Sequence, residues 1–365
     1  MKICYLLEST ELWGGVRTVF DEVRALRKRG HDVSIRALGG DHRWYPHKVS
    51  IHYVNDLSVP FRNRKCLPDV VIATFWTTVK AALHLRCPLT FHYCQGYEGD
   101  SIEFSSLREA IAEAYRLPLP KVTTGEWLAK RLREGFGPDA FKIYSVGQIV
   151  DLDIFRPLRF SPLPFWKKLL SGKAEGKVRI LVSGLFEASV KAIPDALHAV
   201  AILKKKGHKV HLTRVSTVDT SHQERGITEI DEYHVYVRSA RMAKIYQSSH
   251  LYIAPSLAHE GFGLPFAEAL ACGIPSVATA IPSHLSFDEK HDYALFVSEG
   301  DPTSIAEAAL KIMHNKTLRE NLSKRGIEVV NRNCSSDLVA ARWEEAVLSE
   351  ELACSRHAEA ERTER

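Results

Sequence analysis

The sequence predicts an α/β protein of two doubly wound domains, and three observations carry that expectation. Strand-length apolar runs alternate with helical patterns along most of the chain, as expected for parallel sheets covered by helices. One strand–helix–strand pattern near the start returns 177 residues later with its stop signal intact. The length, 365 residues, suits two domains at about 150 residues each.

Residues 2–7 form the first apolar run, followed by a turn carrying Gly14 and Gly15. Val16, Val19, Phe20, Val23 and Leu26 then recur at helical spacing, with Arg17, Asp21, Glu22 and Lys28 between them. Arg27, Lys28 and Arg29 suit the negative end of the helix dipole, and Gly30 stops it. A second strand starts at Val33. In the repeat, residues 180–183 replace the first strand, and Ile193, Ala196, Leu197, Val200 and Leu203 form the helical stripe. Arg27-Lys28-Arg29-Gly30-His31-Asp32-Val33 becomes Lys204-Lys205-Lys206-Gly207-His208-Lys209-Val210. One shift aligns strand, stripe, stop and next strand, so the chain predicts two Rossmann-like domains facing a central crevice.

Further strands are expected at 69–73, 89–93, 122–124 and 142–146, then at 251–254, 274–279 and 294–297. Helical patterns follow at 303–314, 317–331 and 336–352. Proline and a basic stretch interrupt the alternation near Phe155-Arg156-Pro157. The expected division is therefore 1–157, 158–335, a closing helix at 336–352 and a disordered tail at 353–365.

Composition narrows the function. With 45% hydrophobic and 25% charged residues, the chain is neither collagen-like, coiled-coil nor wholly disordered. No apolar run approaches the roughly 18 residues of a membrane span, and the start turns acidic at Glu8, too soon for a secretory signal. Seven cysteines, an odd number without a Cys-x-x-Cys pair, argue against a disulfide framework or a zinc site and for a cytoplasmic setting. The net charge is +5. Arg159, Lys167, Lys168, Lys173, Lys177 and Arg179 against Glu175 account for all of it, which is a local patch and not the spread stripe of a nucleic-acid binder. Phe165-Trp166-Lys167-Lys168-Leu169-Leu170 reads as a solvated linker, with a weak peripheral contact to an anionic membrane as the alternative.

The most informative stretch is His259-Glu260-Gly261-Phe262-Gly263-Leu264-Pro265-Phe266-Ala267-Glu268-Ala269-Leu270-Ala271-Cys272-Gly273. Pro265 suits a first helical turn and Gly273 the residue past its end. Gly261 and Gly263 let the backbone approach a ligand and leave N–H groups open at the helix start, an anion site suited to phosphate. Glu260 would then stand at the mouth, and Glu268 two turns along could accept from a ribose diol. The alternative is an ordinary capped helix with Glu260 favouring the dipole and Glu268 in solvent, against which Glu268 stands among apolar neighbours.

This segment resembles the signature of the retaining nucleotide-sugar glycosyltransferases of family four, or group 1, which have the GT-B fold. Their two glutamates, separated by seven residues, match Glu260 and Glu268 before Cys272-Gly273-Ile274-Pro275. Trp13-Gly14-Gly15-Val16 is similar to the family's glycine loop, and residues 150–157 to its interdomain stretch. The resemblance implies that Glu260 contacts the donor sugar and Glu268 the ribose, with the amides around Phe262 and Gly263 on the phosphates. It implies Lys191, seven residues after Gly184, as the diphosphate clamp. It places His92, in Thr90-Phe91-His92-Tyr93, near donor sugar and acceptor, although a structural histidine is the alternative. Two departures stand out: Leu185 replaces the usual arginine, leaving Arg214 or Arg238 as substitutes, and Ala192 replaces a glycine. Gln95-Gly96-Tyr97-Glu98 is faintly similar to a stretch of bacterial deoxyhexose transferases.

The expected activity is transfer of a sugar from a nucleoside diphosphate sugar to a glycan, lipid-linked or small-molecule acceptor, without cofactor or metal. Asp151-Leu152-Asp153 reads as hinge structure and not as a metal motif. A non-catalytic nucleotide-sugar-binding scaffold is one rival, kept open by Leu185. A dinucleotide-dependent oxidoreductase is another, disfavoured because Trp13-Gly14-Gly15-Val16 lacks the Gly-x-Gly-x-x-Gly spacing.

Overall fold

The computed structural model describes residues 1–62, 64–158 and 176–363. The segment Phe165–Leu170 lies outside the described residues. The chain divides into two units, Met1–Ile149 with Ser336–Arg365, and Val150–Ser335.

The first unit holds β1 (Lys2–Ser9), α1 (Gly14–Lys28), β2 (Asp32–Gly39), β3 (Ile51–Tyr53), β4 (Val70–Ala73), α2 (Trp76–His84), β5 (Leu89–Cys94), α3 (Arg108–Arg116), β6 (Lys121–Thr123), α4 (Glu126–Phe136) and β7 (Ile143–Ser145). Its strands lie in the order β3-β2-β1-β4-β5-β6-β7, and every pair is parallel. The second unit holds β8 (Val178–Ser183), α5 (Ile193–Lys205), β9 (Val210–Ser216), α6 (Ser221–Glu224), β10 (Glu232–Val235), α7 (Ser239–Ser248), β11 (Leu251–Ala254), α8 (Leu264–Ala271), β12 (Ser276–Thr279), α9 (Pro282–Leu285), β13 (Leu295–Val297), α10 (Pro302–His314) and α11 (Lys316–Asn333). Its order is β10-β9-β8-β11-β12-β13, again all parallel. Both sheets reverse direction beside their first strand, at β1/β4 and β8/β11. Ligands of such folds bind outside the carboxyl ends of the strands at that switch point.

The central strands are buried on both faces, as in β4 and β11 where all four residues are enclosed, which is why they read as continuous apolar runs. β3 was not anticipated from the sequence: it is a three-residue edge strand with two exposed positions. The last helix, α12 (Ser336–Thr363), runs past Leu352, so the helical pattern does not stop where the sequence reading places the tail. Trp343 anchors it in the first unit, 1% exposed, with its ring 5.3 Å from Tyr93 and 6.2 Å from Tyr5 and Phe91.

The division falls at 149/150 and not at 157/158. Residues 150–156 pack with the second unit: the Val150 N–H donates to the Cys334 carbonyl at 2.9 Å, Phe155 is fully buried against Tyr246, and Gln247 Nε2 donates to the Arg156 carbonyl. Asp151 accepts from the Asp153 N–H at 3.2 Å through its carboxylate, a local turn. Among the described residues no cluster of His, Cys, Asp or Glu has the makings of a metal site, and no helix is long and apolar enough to cross a membrane.

Candidate functional site

The second unit gathers its polar groups at the carboxyl ends of β8, β11 and β12. After β8 the chain turns at Gly184, whose φ of +141° admits no side chain comfortably and whose missing Cβ would crowd Ile193 Cδ1 at 3.1 Å. A 3-10 turn over Ser189–Lys191 follows, and Ala192, with φ of 44° in the left-handed region, precedes α5. That conformation costs a non-glycine residue about 1–2 kcal/mol, a physical reason for a glycine to be usual there. The Leu257 N–H donates to the Val190 carbonyl at 2.8 Å, which ties this turn to the loop after β11.

The tie brings Lys191 to Glu260. Nζ donates to Oε2 at 2.6 Å, and Ser256 Oγ donates to the same oxygen at 3.0 Å. Glu260 is 7% exposed. Burial alone would raise its carboxyl, but the Lys191 ammonium, with help from the Ser256 hydroxyl, outweighs that and holds it below the usual carboxylate range. The pair is therefore ionised and self-neutralising.

Beside it, Gly261, Phe262 and Gly263 lead into α8. Gly263 has φ of +79°, Phe262 is buried against Phe287, and Pro265 opens the helix. The main-chain N–H groups of Gly261, Phe262 and Gly263 meet no acceptor among the described residues, so the turn presents donors at the positive end of a helix dipole. His284, from the chain after β12, abuts the same turn: a Cβ on Gly263 would come within 2.9 Å of its Nε2. Neither His284 nor Ser256 was singled out from the sequence. Each is one of many residues of its type, and only the folding of three strand ends together marks it.

Glu268 lies deeper, 2% exposed on α8, where the Tyr246 hydroxyl donates to Oε2 at 3.2 Å. Arg214 does not supply the cation missing at Leu185. It is fully buried and donates to Glu224 through two nitrogens at 2.5 and 2.8 Å. Its remaining bonds go to the carbonyls of Val182, Val215 and Gly184. All of its donor capacity holds the frame of the Gly184 turn. Arg238 is an exposed residue at the start of α7.

Gly14, Gly15 and His92 belong to the first unit. Gly14 opens α1 with no atom near its missing Cβ, while Gly15 is approached by Gln95 Oε1 at 3.0 Å, and Gln95 Nε2 donates to the Gly15 carbonyl at 3.2 Å. His92 does not sit at a strand end facing solvent. It is interior to β5, paired across to Ala73 and Lys121, 0% exposed and edge-on to Tyr115 with ring centroids 4.6 Å apart. Neither ring nitrogen has a hydrogen-bond partner among the described residues. Burial, reinforced by the Lys121 charge, pushes its pKa well below the usual histidine value. It is a neutral imidazole inside the first unit, and a direct part in chemistry does not fit that placement.

Two doubly wound parallel sheets, one with an ion pair and a turn of open N–H groups at its switch point, define a two-unit α/β protein. Residues 177–315 match the family model described as Glycosyl transferases group 1. Through that segment, which contains Lys191, Glu260 and Glu268, the chain is similar to the group 1 glycosyl transferases. It is 30% identical over 110 residues to the phosphatidyl-myo-inositol mannosyltransferase of Mycobacterium leprae, covering 30% of this chain and 29% of that protein. It is 26% identical over 164 residues to the capsular polysaccharide biosynthesis glycosyltransferase CapM of Staphylococcus aureus, 42% of this chain and 41% of CapM. The matches thus span less than half of these relatives' length. Among solved structures, sucrose-phosphate synthase from Thermosynechococcus elongatus superposes with a TM-score of 0.74 at 14% identity, covering 97% of this chain and 100% of that one. Anabaena Alr3699/HepE in complex with UDP and glucose gives 0.74 at 15%, covering 96% and 100%. These likenesses show the fold, two Rossmann-like domains of the GT-B class.

Proposed function

We propose that the protein transfers a sugar from a nucleoside diphosphate sugar to a glycan, lipid-linked or small-molecule acceptor, with retention at the anomeric carbon and without a metal or cofactor. The observation that carries this reading is the Lys191–Glu260 pair at the foot of a turn with three open N–H groups. As the bond from anomeric carbon to phosphate breaks, negative charge grows on the leaving diphosphate, where those N–H groups and Lys191 stabilise it. Positive character grows on the sugar, where Glu260 stands. In a front-face reaction the departing phosphate accepts the acceptor hydroxyl's proton as the hydroxyl oxygen bonds to the anomeric carbon, so no separate base is needed and His92 takes no step. Glu268 holds the ribose.

A solved relative of the fold named for its complex with UDP and glucose supports a nucleotide-sugar donor. Relatives named for a phosphatidyl-inositol and a capsular polysaccharide support a lipid-linked or glycan acceptor. A cytoplasmic protein with a weak peripheral membrane contact through the basic segment at 165–170 is part of the same reading.

A thermal-shift scan against UDP, GDP, dTDP and ADP tests it, since a ligand at 100 times its Kd stabilises by about 2.7 kcal/mol. One of the four should raise Tm, and the matching nucleotide sugar should then release its nucleoside diphosphate in the presence of chelator. No shift with any of them refutes the donor class. Activity lost to chelator and restored by magnesium refutes the metal-free mechanism.

A further inference from the structure

His284 is a fully buried histidine held in one orientation. Its Nδ1 lies 3.1 Å from the Thr279 carbonyl oxygen, which can only accept, so Nδ1 carries the hydrogen. In the neutral ring Nε2 is then a bare lone pair. It has no partner among the described residues, and it abuts the main chain of Gly263. The Phe266 ring packs on the imidazole at 4.8 Å, and Tyr293 reaches only the main-chain carbonyl of His284. The charged groups facing the ring are Glu260 and Lys191. Thr279 also donates from Oγ1 to the Ser256 carbonyl, so the histidine and the serine that steadies Glu260 share one support.

Burial pushes the imidazole down to about 4, against the opposing pull of Glu260 and the Thr279 carbonyl. Without ligand the corner carries one cation and one anion, Lys191 and Glu260, and is neutral overall. The open N–H groups of Gly261, Phe262 and Gly263 beside it are donors suited to an anion. An acceptor lone pair among them is mismatched to that anion, whereas the same nitrogen bearing a proton matches it. The cation implied beside Gly184 is absent, because Leu185 stands there and Arg214 is spent on Glu224 and the carbonyls around Gly184.

We propose, on the strength of the nucleoside diphosphate reading above, that His284 is a further donor-binding residue. When the diphosphate arrives, Nε2 takes up one proton from solvent and donates it as a hydrogen bond to a diphosphate oxygen. The imidazolium supplies the second positive charge beside Lys191. No electron moves, and the proton returns to solvent when the diphosphate leaves.

Calorimetric titration of the full chain at pH 7.5 tests this, using whichever of UDP, GDP, dTDP and ADP raises Tm. Runs in two buffers of different ionisation enthalpy give the number of protons taken up. Wild type should take up close to one proton more than His284→Gln, and its affinity should weaken by up to about tenfold per pH unit between pH 7 and 8, while the variant stays nearly flat. His284→Asn, which can still donate to the Thr279 carbonyl, repeats the comparison if the glutamine variant folds poorly. Equal proton counts in wild type and variants overturn the proposal, even if affinity falls, because His284 would then act as a neutral group. Wild-type binding without proton uptake overturns it alone. Absence of binding by all four diphosphates overturns it together with the reading of the site.

Discussion

Each unit buries a glutamate, and the two are kept in opposite states. Glu22, on α1, is 1% exposed and accepts from the Tyr5 hydroxyl at 3.0 Å, with Tyr93 and Trp343 also facing it. No cation offsets its burial, and its pKa is pushed up to about 8. It is a neutral group in the seam between β1, α1 and α12. Glu260 is buried almost as deeply but has Lys191 at 2.6 Å and stays ionised. Burial sets the cost of the charge, and the neighbouring cation decides whether it is kept. A neutral carboxyl serves as framework, whereas a charge held beside a cation and open N–H groups is what the proposed chemistry requires of Glu260.

The largest expected effect separates the two by pH. The unfolded chain ionises Glu22 near the ordinary 4.5, while the folded unit keeps it protonated up to about 8. Folded-state stability from this residue is thus complete below 4.5 and falls across that window by about 1.4 kcal/mol per pH unit. Glu260, with its lowered value, acts in reverse and loses its contribution only as pH falls below 4.5. Glu22→Gln should flatten the fall of Tm between pH 5 and 8 and be more stable than wild type at the alkaline end. Parallel Tm curves for variant and wild type would mean that Glu22 is ionised in the fold, and the contrast with Glu260 would collapse.

Next in size is the charge on Glu260 itself. Glu260→Gln keeps shape and removes the charge opposite the developing positive centre, so kcat should fall by about 10²–10³-fold with little change in donor KM. An unchanged kcat with a lowered Tm would make Glu260 a helix-entry residue and no more. Lys191→Ala comes third. It removes a charged hydrogen bond to the diphosphate in ground and transition states alike, costing about 1.5–3 kcal/mol, so KM rises and kcat falls together. It also gives Glu260 the circumstances of Glu22, a buried carboxyl without a cation. Its pKa should shift upward, and the variant's residual kcat/KM should climb with pH where wild type is level. A flat profile would show that another group holds Glu260 ionised.

Much of the fold was legible because parallel strands buried on both faces leave unbroken apolar runs, and because β1-α1-β2 and β8-α5-β9 share one pattern. Periodicity sees one layer at a time. It placed Asp21 and Glu22 on the polar side of α1, whereas Trp343 of α12, from the far end of the chain, meets Glu22, 1% exposed, and the Tyr45 hydroxyl donates to Asp21, 4% exposed. The same blindness shifted the boundary, since nothing local shows Val150 bonding to Cys334. In the candidate site, Lys191 and Glu260 each lie in a glycine-marked turn that reads from the sequence. Arg214 was weighed there as a substitute cation, but its partner Glu224 sits on α6, and only the fold reveals that they meet. His92 looked like a strand-end residue, but β5 continues two residues beyond it and the chain closes over the ring.

The smallest expected effect tests whether a third buried glutamate belongs with Glu22 or with Glu260. Glu268 is 2% exposed and accepts from Tyr246, a framework-like setting, yet it is assigned to the donor ribose. The ribose is remote from the breaking bond, so that contact should be about equally strong before and during reaction. Losing it is then a loss of uniform binding, which raises KM and leaves kcat alone. Glu268→Gln retains one acceptor oxygen and the bond from Tyr246, and loses the charge assistance of the ribose contact. That is worth about 1 kcal/mol, or roughly a fivefold rise in donor KM. If Glu268 is framework, the variant will show a changed Tm with unaltered KM and kcat. If it fails in kcat as Glu260→Gln does, the two glutamates share one role, and the division between sugar and ribose is wrong even with the donor class intact. Both constants measured for both variants, with Tm beside them, distinguish the three outcomes.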